Sequence, residues 1–221
     1  MARAKGALFL VDATQAMGKV PVAAAAWGAD LLSLSGHKFQ GPKGTGLLMI
    51  RRGVRLKPFM LGGSQERGRR GGTENVPGLV GLGKAAELAL ARLPEMARVR
   101  ALRDRFEAEL AARVADLRVH GAGAERLPNT SLVGFAGVEG EAVQLRLAEQ
   151  GICVSTGSAC STGMREPSHV LRAMQVPQAY ARATVRFSLG RGTTEAQIDR
   201  VLDLLPGIVA ELRASGLSIV K

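Results

Sequence analysis

Three short apolar runs, each closed by polar or charged residues, limit what this chain can fold into. ALFLVD (7–12) ends on Asp12, DLLSLS (30–35) ends on Ser35, and GLLMIRR (46–52) ends on two arginines. Runs this short suit strands better than helices. Their near-continuous apolarity fits buried strands of an α/β sheet rather than half-wet edge strands. A glycine-rich, charged stretch, LGGSQERGRRGGTENVPG (61–78), reads as a loop. A glycine-interrupted helical stretch follows from about Val76 to Arg92, and Pro94 breaks the chain.

Beyond the break the pattern changes. Val99, Leu102, Phe106, Leu110 and Val114 recur at three- and four-residue spacing among charges, which predicts an amphipathic helix. SLVGFAG (131–137) reads as a strand, EGEAVQLRLAEQ (139–150) as a helix, and ICVS (152–155) as a strand. A loop spans 156–166. Pro167 suits the first turn of a short helix, PSHVLRAM. TVRFSL (184–189) reads as a strand. Thr194 and Gln197 have capping-box spacing ahead of a last amphipathic helix. The expected organisation is a sheet-rich domain over 1–93 and a smaller α+β domain over 94–221.

The chain has 221 residues, of which 46% are hydrophobic and 22% charged, ample for a packed core. No stretch reaches the roughly 18 apolar residues of a membrane span. The apolar run near the start is too short for a signal peptide. These features predict a soluble, cytoplasmic protein with no membrane partner. Net charge is +11, with basic clusters at Arg51, Arg52, Arg55 and Lys57 and at Arg67, Arg69 and Arg70. An acidic partner such as nucleic acid would suit that charge. Only 4% of residues are aromatic, however, which argues against a base-stacking surface.

Asp12 and Lys38 stand at or just beyond the ends of predicted strands, where open α/β sheets place their ligands. Asp12 alone could cap a helix, and Lys38 alone could be an exposed loop lysine. Together they suggest a lysine amine able to form a Schiff base and a carboxylate able to hold a pyridine nitrogen protonated, the pairing of pyridoxal-phosphate sites. Ser35, His37 and the following loop would offer donors to the phosphate. SGHKFQGPKGTG (35–46) does not satisfy the P-loop pattern, because Pro42 follows Gly41 where a lysine is required. Cys153, Cys160, His37, His120 and His169 lack zinc-ligand spacing.

Cys153, among apolar neighbours in GICVS, reads as an inert core thiol. Cys160, in the small and polar STGSACST, is a thiol that could move and react. Strand alternation puts Thr184, Arg186 and Ser188 on one face. There Arg186 either reaches water or pairs with a carboxylate, and its fork suits an amino-acid carboxylate.

These residues together resemble the cysteine desulfurases of the iron–sulfur assembly and nitrogen-fixation type, within the class V aminotransferase family of pyridoxal-phosphate enzymes. VDATQAMGKVPV, ADLLSLSGHKFQGPKGTGLL, GGSQERGRRGGTENVPG, LPNTSLVGF, GVEGEAV, GICVSTGSACSTG, EPSHVLRAM and RFSLGRGTTEAQID resemble family blocks in family order. The resemblance implies a fold-type I architecture: part of a large cofactor-binding domain, then a small carboxy-terminal domain carrying the cysteine loop. It implies that Lys38 links to pyridoxal 5'-phosphate and moves the substrate α-proton. Asp12 pairs with the pyridine nitrogen, Gln15 bonds the ring's phenolic oxygen, and Ser35 and His37 bind the phosphate. Thr73 is a phosphate ligand lent by the other subunit of a homodimer, and Arg186 holds the substrate carboxylate. Cys160 takes sulfur from L-cysteine as a persulfide, for transfer to an acceptor or scaffold protein, and L-alanine is released. In the family a long segment precedes the VDATQ block, so this chain is expected to be the carboxy-terminal part of such an enzyme. A non-catalytic fragment or interaction module, and a selenocysteine lyase, are the alternative readings.

Overall fold

A computed structural model describes residues 2–156 and 168–215. The chain divides into two compact units, Met1–Pro94 and Glu95–Lys221.

In the first unit, β1 (Leu10–Asp12), β2 (Leu31–Ser35) and β3 (Gly46–Ile50) form a sheet in the order β1-β2-β3. β1 runs parallel to β2, and β3 runs antiparallel to it. The parallel pairing brings the carboxyl ends of β1 and β2 to one edge, with Asp12 opposite Ser33 and Ser35 two residues further on. Short helix α1 (Ala24–Trp27) leads into β2, four-residue α2 (Gln65–Gly68) interrupts the long loop, and α3 (Val76–Ala91) closes the unit. The Asn75 side chain caps α3 by accepting from the Gly78 N–H. Phe39, Leu82, Ala85 and Ala89 make the small core, with Leu34 packed against it. Buried Asp30 fixes the opposite end of the sheet. One carboxylate oxygen accepts from the Phe9 N–H at 2.8 Å and the other from Arg51 Nε at 2.6 Å.

The predicted strands exist, but their expected burial does not hold. Leu10 is 56% exposed, Leu47 47% and Leu48 45%, whereas Leu32 is buried. Leu34 packs against α3 and the Phe39 turn, while Leu47, its partner on the same face of β3, still stands half in water. The opposite face, with Leu10 and Leu48, has no layer over it among the described residues. An apolar run specifies a strand, while its burial depends on what covers each face.

The second unit contains α4 (Met96–Arg113), β4 (Leu117–Val119), β5 (Thr130–Phe135), α5 (Gly140–Glu149), β6 (Ser155–Thr156), α6 (His169–Ala173), α7 (Gln178–Ala181), β7 (Thr184–Ser188) and α8 (Glu195–Ala214). The sheet order is β4-β5-β7-β6, with antiparallel pairing throughout. Ser131, Val133 and Phe135 alternate onto one face with Val185 and Phe187, and all five are buried. α4 contributes Val99, Leu102, Phe106 and Leu110 to this core, and α8 contributes Ile198, Leu202, Leu205 and Val209. The rings of Phe106 and Phe187 pack with centroids 4.9 Å apart. The capping box of α8 is present as its spacing predicts, with Thr194 accepting from the Gln197 N–H and Gln197 from the Thr194 N–H.

Two expectations fail here. Residues 152–154 are not a strand, because the Ile152 N–H bonds the Leu147 carbonyl and so finishes the turn after α5. Cys153 is exposed rather than a core thiol, since Ile152 and Val154 take the inward positions on either side of it. The short strand β4 gave no sequence signal; three residues are too few to show alternation. Pro167 lies outside the described residues. Among the described residues no helix is long and apolar enough to cross a membrane.

Candidate functional site

The candidate site builds outward from the carboxyl edge of β1 and β2. After Asp12 the chain turns sharply, and the Thr14 N–H donates to Asp12 Oδ1 at 2.9 Å. The Thr14 hydroxyl and this N–H, with the Ser33 hydroxyl from the facing strand, hold the Asp12 carboxyl below its usual range. Asp12 is therefore a fixed, exposed anion at the strand end.

β2 runs into a tight 3-10 turn, Gly36–Phe39. A side chain at Gly36 would meet Thr45 Oγ1 at 2.5 Å and the Pro42 carbonyl at 3.1 Å, so only glycine lets the turn close against the following loop. Phe39 points into the core, while His37 and Lys38 are exposed. Ser35 Oγ and His37 Nδ1 lie 2.9 Å apart. The sequence GHKF thus anchors the turn at its two ends and presents a hydroxyl, an imidazole and an amine.

Gln15 lies in the helical turn after Asp12. Its backbone oxygen and its Oε1 accept from Lys19 Nζ at 2.8 and 3.0 Å. Burial first, and then the charge of Lys38, push the Lys19 pKa down. Lys38 therefore stands close enough to the Gln15–Lys19 turn for the two ammonium groups to repel. Of the sequence-predicted residues, Asp12, Gln15, Ser35, His37 and Lys38 gather at this one edge.

Thr73 does not join them. It lies on the exposed loop ahead of α3, with no hydrogen bond to Ser35 or His37 among the described residues. Arg186 belongs to the second unit, on β7, opposite Leu132 of β5 and Ser155 of β6. It is half-buried and has no ion pair among the described residues. Cys160 lies outside the described residues. Sequence reasoning missed Thr14, Lys19 and Ser33. A signal for Ser33 was present: Ser33 and Ser35 are spaced to share one face of an otherwise apolar run.

The comparisons with known proteins concern the family and the fold. The family model described as "Aminotransferase class-V" matches residues 1–201. The chain belongs to the class-V aminotransferase family. It is 54% identical over 211 residues to a cysteine desulfurase of Trichormus azollae, covering 95% of this chain and 53% of that protein. It is 55% identical over 214 residues to one of Gluconacetobacter diazotrophicus, covering 96% of this chain and 54% of that protein. The chain thus spans about half the length of these relatives. Among solved structures, a NifS-like protein superposes with TM-score 0.84 at 37% identity, over 94% of this chain and 54% of the other. A NifS-like protein from Rickettsia africae gives 0.86 at 28% identity, over 95% and 55%. The α/β, fold-type I architecture expected from the sequence is the one these neighbours share.

Proposed function

We propose that this chain carries the cofactor-anchoring edge and the sulfur-handling domain of a cysteine desulfurase that binds pyridoxal 5'-phosphate. The observation that carries the reading is the Asp12 carboxylate, held ionised by Thr14 and Ser33 on the edge that also presents Ser35, His37 and Lys38. This donor set fits the group: an anion for a pyridinium N–H, a hydroxyl and an imidazole for a phosphate, and an amine for an aldehyde carbon. Cysteine desulfurase relatives and a neighbour whose structure is titled as SspA in complex with cysteine support L-cysteine as substrate.

Pyridoxal phosphate, when bound, supplies an electron sink for the bonds at the substrate α-carbon. Asp12 would hold the ring-nitrogen proton in place through its negative charge. The Gln15 amide would donate to the ring's phenolic oxygen. Ser35 and His37 would hold the phosphate, joined by Thr73 of a second subunit in a homodimer. Lys38 would hold the aldehyde carbon through its amine and would carry the substrate α-proton. Arg186 grips the substrate carboxylate with its planar fork. The Cys160 thiolate attacks the substrate sulfur; an S–S bond forms, the substrate C–S bond breaks, and the three-carbon product gains protons and leaves as L-alanine. The persulfide passes its outer sulfur to an acceptor or scaffold protein. Thiol and persulfide chemistry suits the reducing cytoplasm. On this reading residues 1–93 belong to the large domain and 94–221 form the small domain.

The test is the visible absorption spectrum of the protein with pyridoxal phosphate, beside Lys38→Ala, followed by alanine formation from cysteine. A band that requires Lys38 supports the reading. A band indifferent to Lys38, or no band, would reduce the chain to a non-catalytic relative. Cys160→Ala is expected to abolish sulfur transfer and leave the band unchanged; loss of both together removes the role given to Cys160. Faster turnover of selenocysteine than of cysteine would make the protein a selenocysteine lyase.

A further inference from the structure

Lys19 is a half-buried lysine that the functional reading leaves without a task. Its position follows from the helical turn after β1. The Met17 N–H bonds the Ala13 carbonyl and the Val20 N–H bonds the Ala16 carbonyl, so Gln15 and Lys19, four residues apart, share one side of the turn. The Lys19 ammonium reaches back to Gln15 and bonds it twice, at the backbone oxygen (2.8 Å) and at the side-chain Oε1 (3.0 Å).

The chemistry of the two groups makes this contact directional. An ammonium has only donors, so the Gln15 atom it meets must be the amide oxygen. With the oxygen engaged, the prong left to Gln15 is its NH2, a donor with no acceptor oxygen beside it to compete for the same partner. A free glutamine could present either prong, and half of its rotations would turn an oxygen toward an electron-rich partner. The contact also has a cost: burial and the nearby Lys38 ammonium both disfavour the charge on Lys19. A lysine with no role at this edge could extend into water and avoid both penalties.

We propose that Lys19 is a positioning residue: it locks the Gln15 amide with its NH2 left free for the anionic ring oxygen of the cofactor. The inference rests on the pyridoxal-phosphate reading and goes beyond it, because it assigns a task to a residue outside the donor set. Lys19 acts through Gln15, the one residue its ammonium is seen to bond among the described residues.

The experiment is a pyridoxal-phosphate affinity measurement, read from the cofactor's visible band, on the parent protein and on Lys19→Met and Lys19→Arg. Loss of the amide lock weakens cofactor affinity about tenfold, the worth of one oriented hydrogen bond. Lys19→Met should show this loss, and Lys19→Arg, which keeps the donors, should bind like the parent. A merely structural role would lower thermal stability without weakening cofactor affinity. A Lys19→Met protein with the parent's affinity overturns the inference while leaving the desulfurase reading intact, as does an arginine variant as impaired as the methionine one. A parent protein with no Lys38-dependent band overturns both.

Discussion

In Glu95–Lys221 the sheet residues Val133, Phe135 and Val185 are sealed beneath α4 and α8, whereas in Met1–Pro94 Leu10, Leu47 and Leu48 stand on strands with about half their surface in water. The long loop of the first unit adds to the contrast, with Phe59 98% exposed. Both units have apolar strands of similar length. The difference lies in the second layer. Two long amphipathic helices cover one face of the four-stranded sheet, while one glycine-interrupted helix supports the three-stranded sheet on one side. The chemistry-bearing residues gathered at one edge, Asp12 to Lys38, sit on the unit with the thinner core. The site is therefore built from backbone register and tight turns rather than from a deep apolar core.

Separate expression of the two units breaks the comparison most severely. Residues 95–221 should give a cooperative thermal transition by circular dichroism, because their core is complete within the unit. Residues 1–94 should give none, because the apolar area they bury is small beside the entropy of ordering that many residues. A cooperative transition in the first fragment would show that its small core suffices.

Point substitutions sharpen the same contrast. Phe106→Ala removes a ring packed on Phe187 and should destabilise the second unit by about 3–5 kcal/mol in denaturant titrations. Leu48→Ala, at an exposed position, should change stability by less than about 0.5 kcal/mol. Equal effects would mean that Leu48 is covered in solution.

The smallest effect concerns His120, buried behind β5. Its Nε2 lies 3.4 Å from Thr184 Oγ1, whose hydrogen goes to the Tyr180 carbonyl at 2.8 Å, and its Nδ1 has no partner among the described residues. Burial, and then the charge of Arg118, hold its pKa below the ordinary value. The unfolded chain thus takes up a proton that the folded one refuses. Stability of the second unit should fall as pH drops from the ordinary histidine value, about 6.5, toward the lower folded value. The slope cannot exceed about 1.4 kcal/mol per pH unit, the limit for one proton. His120→Gln should flatten it, and an unchanged slope would assign the effect to another group.

Much of this was legible before the fold was known, where the signal is local and repeated. Val99, Leu102, Phe106 and Leu110 announce α4, because only a helix brings that spacing onto one face. Thr194 and Gln197 mark the start of α8 through a contact three residues long. Asp12 and Lys38 stand out because a charge at the end of an apolar strand needs a reason. β4 was silent because three residues carry no period. Cys153 was misplaced because apolar neighbours in sequence do not decide which way one side chain faces.

Local pattern set most of the elements, their order and the residue types offered for chemistry, since periodicity, caps and turn residues act over a few positions; β4 and the turn at 152–154 escaped it. Tertiary structure alone decided three things. The parallel register of β1 and β2 set Ser33 opposite Asp12, adding a hydroxyl to the Thr14 contacts that chiefly hold that carboxyl below its usual range. The approach of the turn after β1 to the turn after β2 brought the Lys19 ammonium within reach of the charge of Lys38. The presence or absence of a covering helix decided which apolar strands are dry. Each depends on groups from separate elements meeting in space, and a pattern read along one strand or one turn carries no record of its partner.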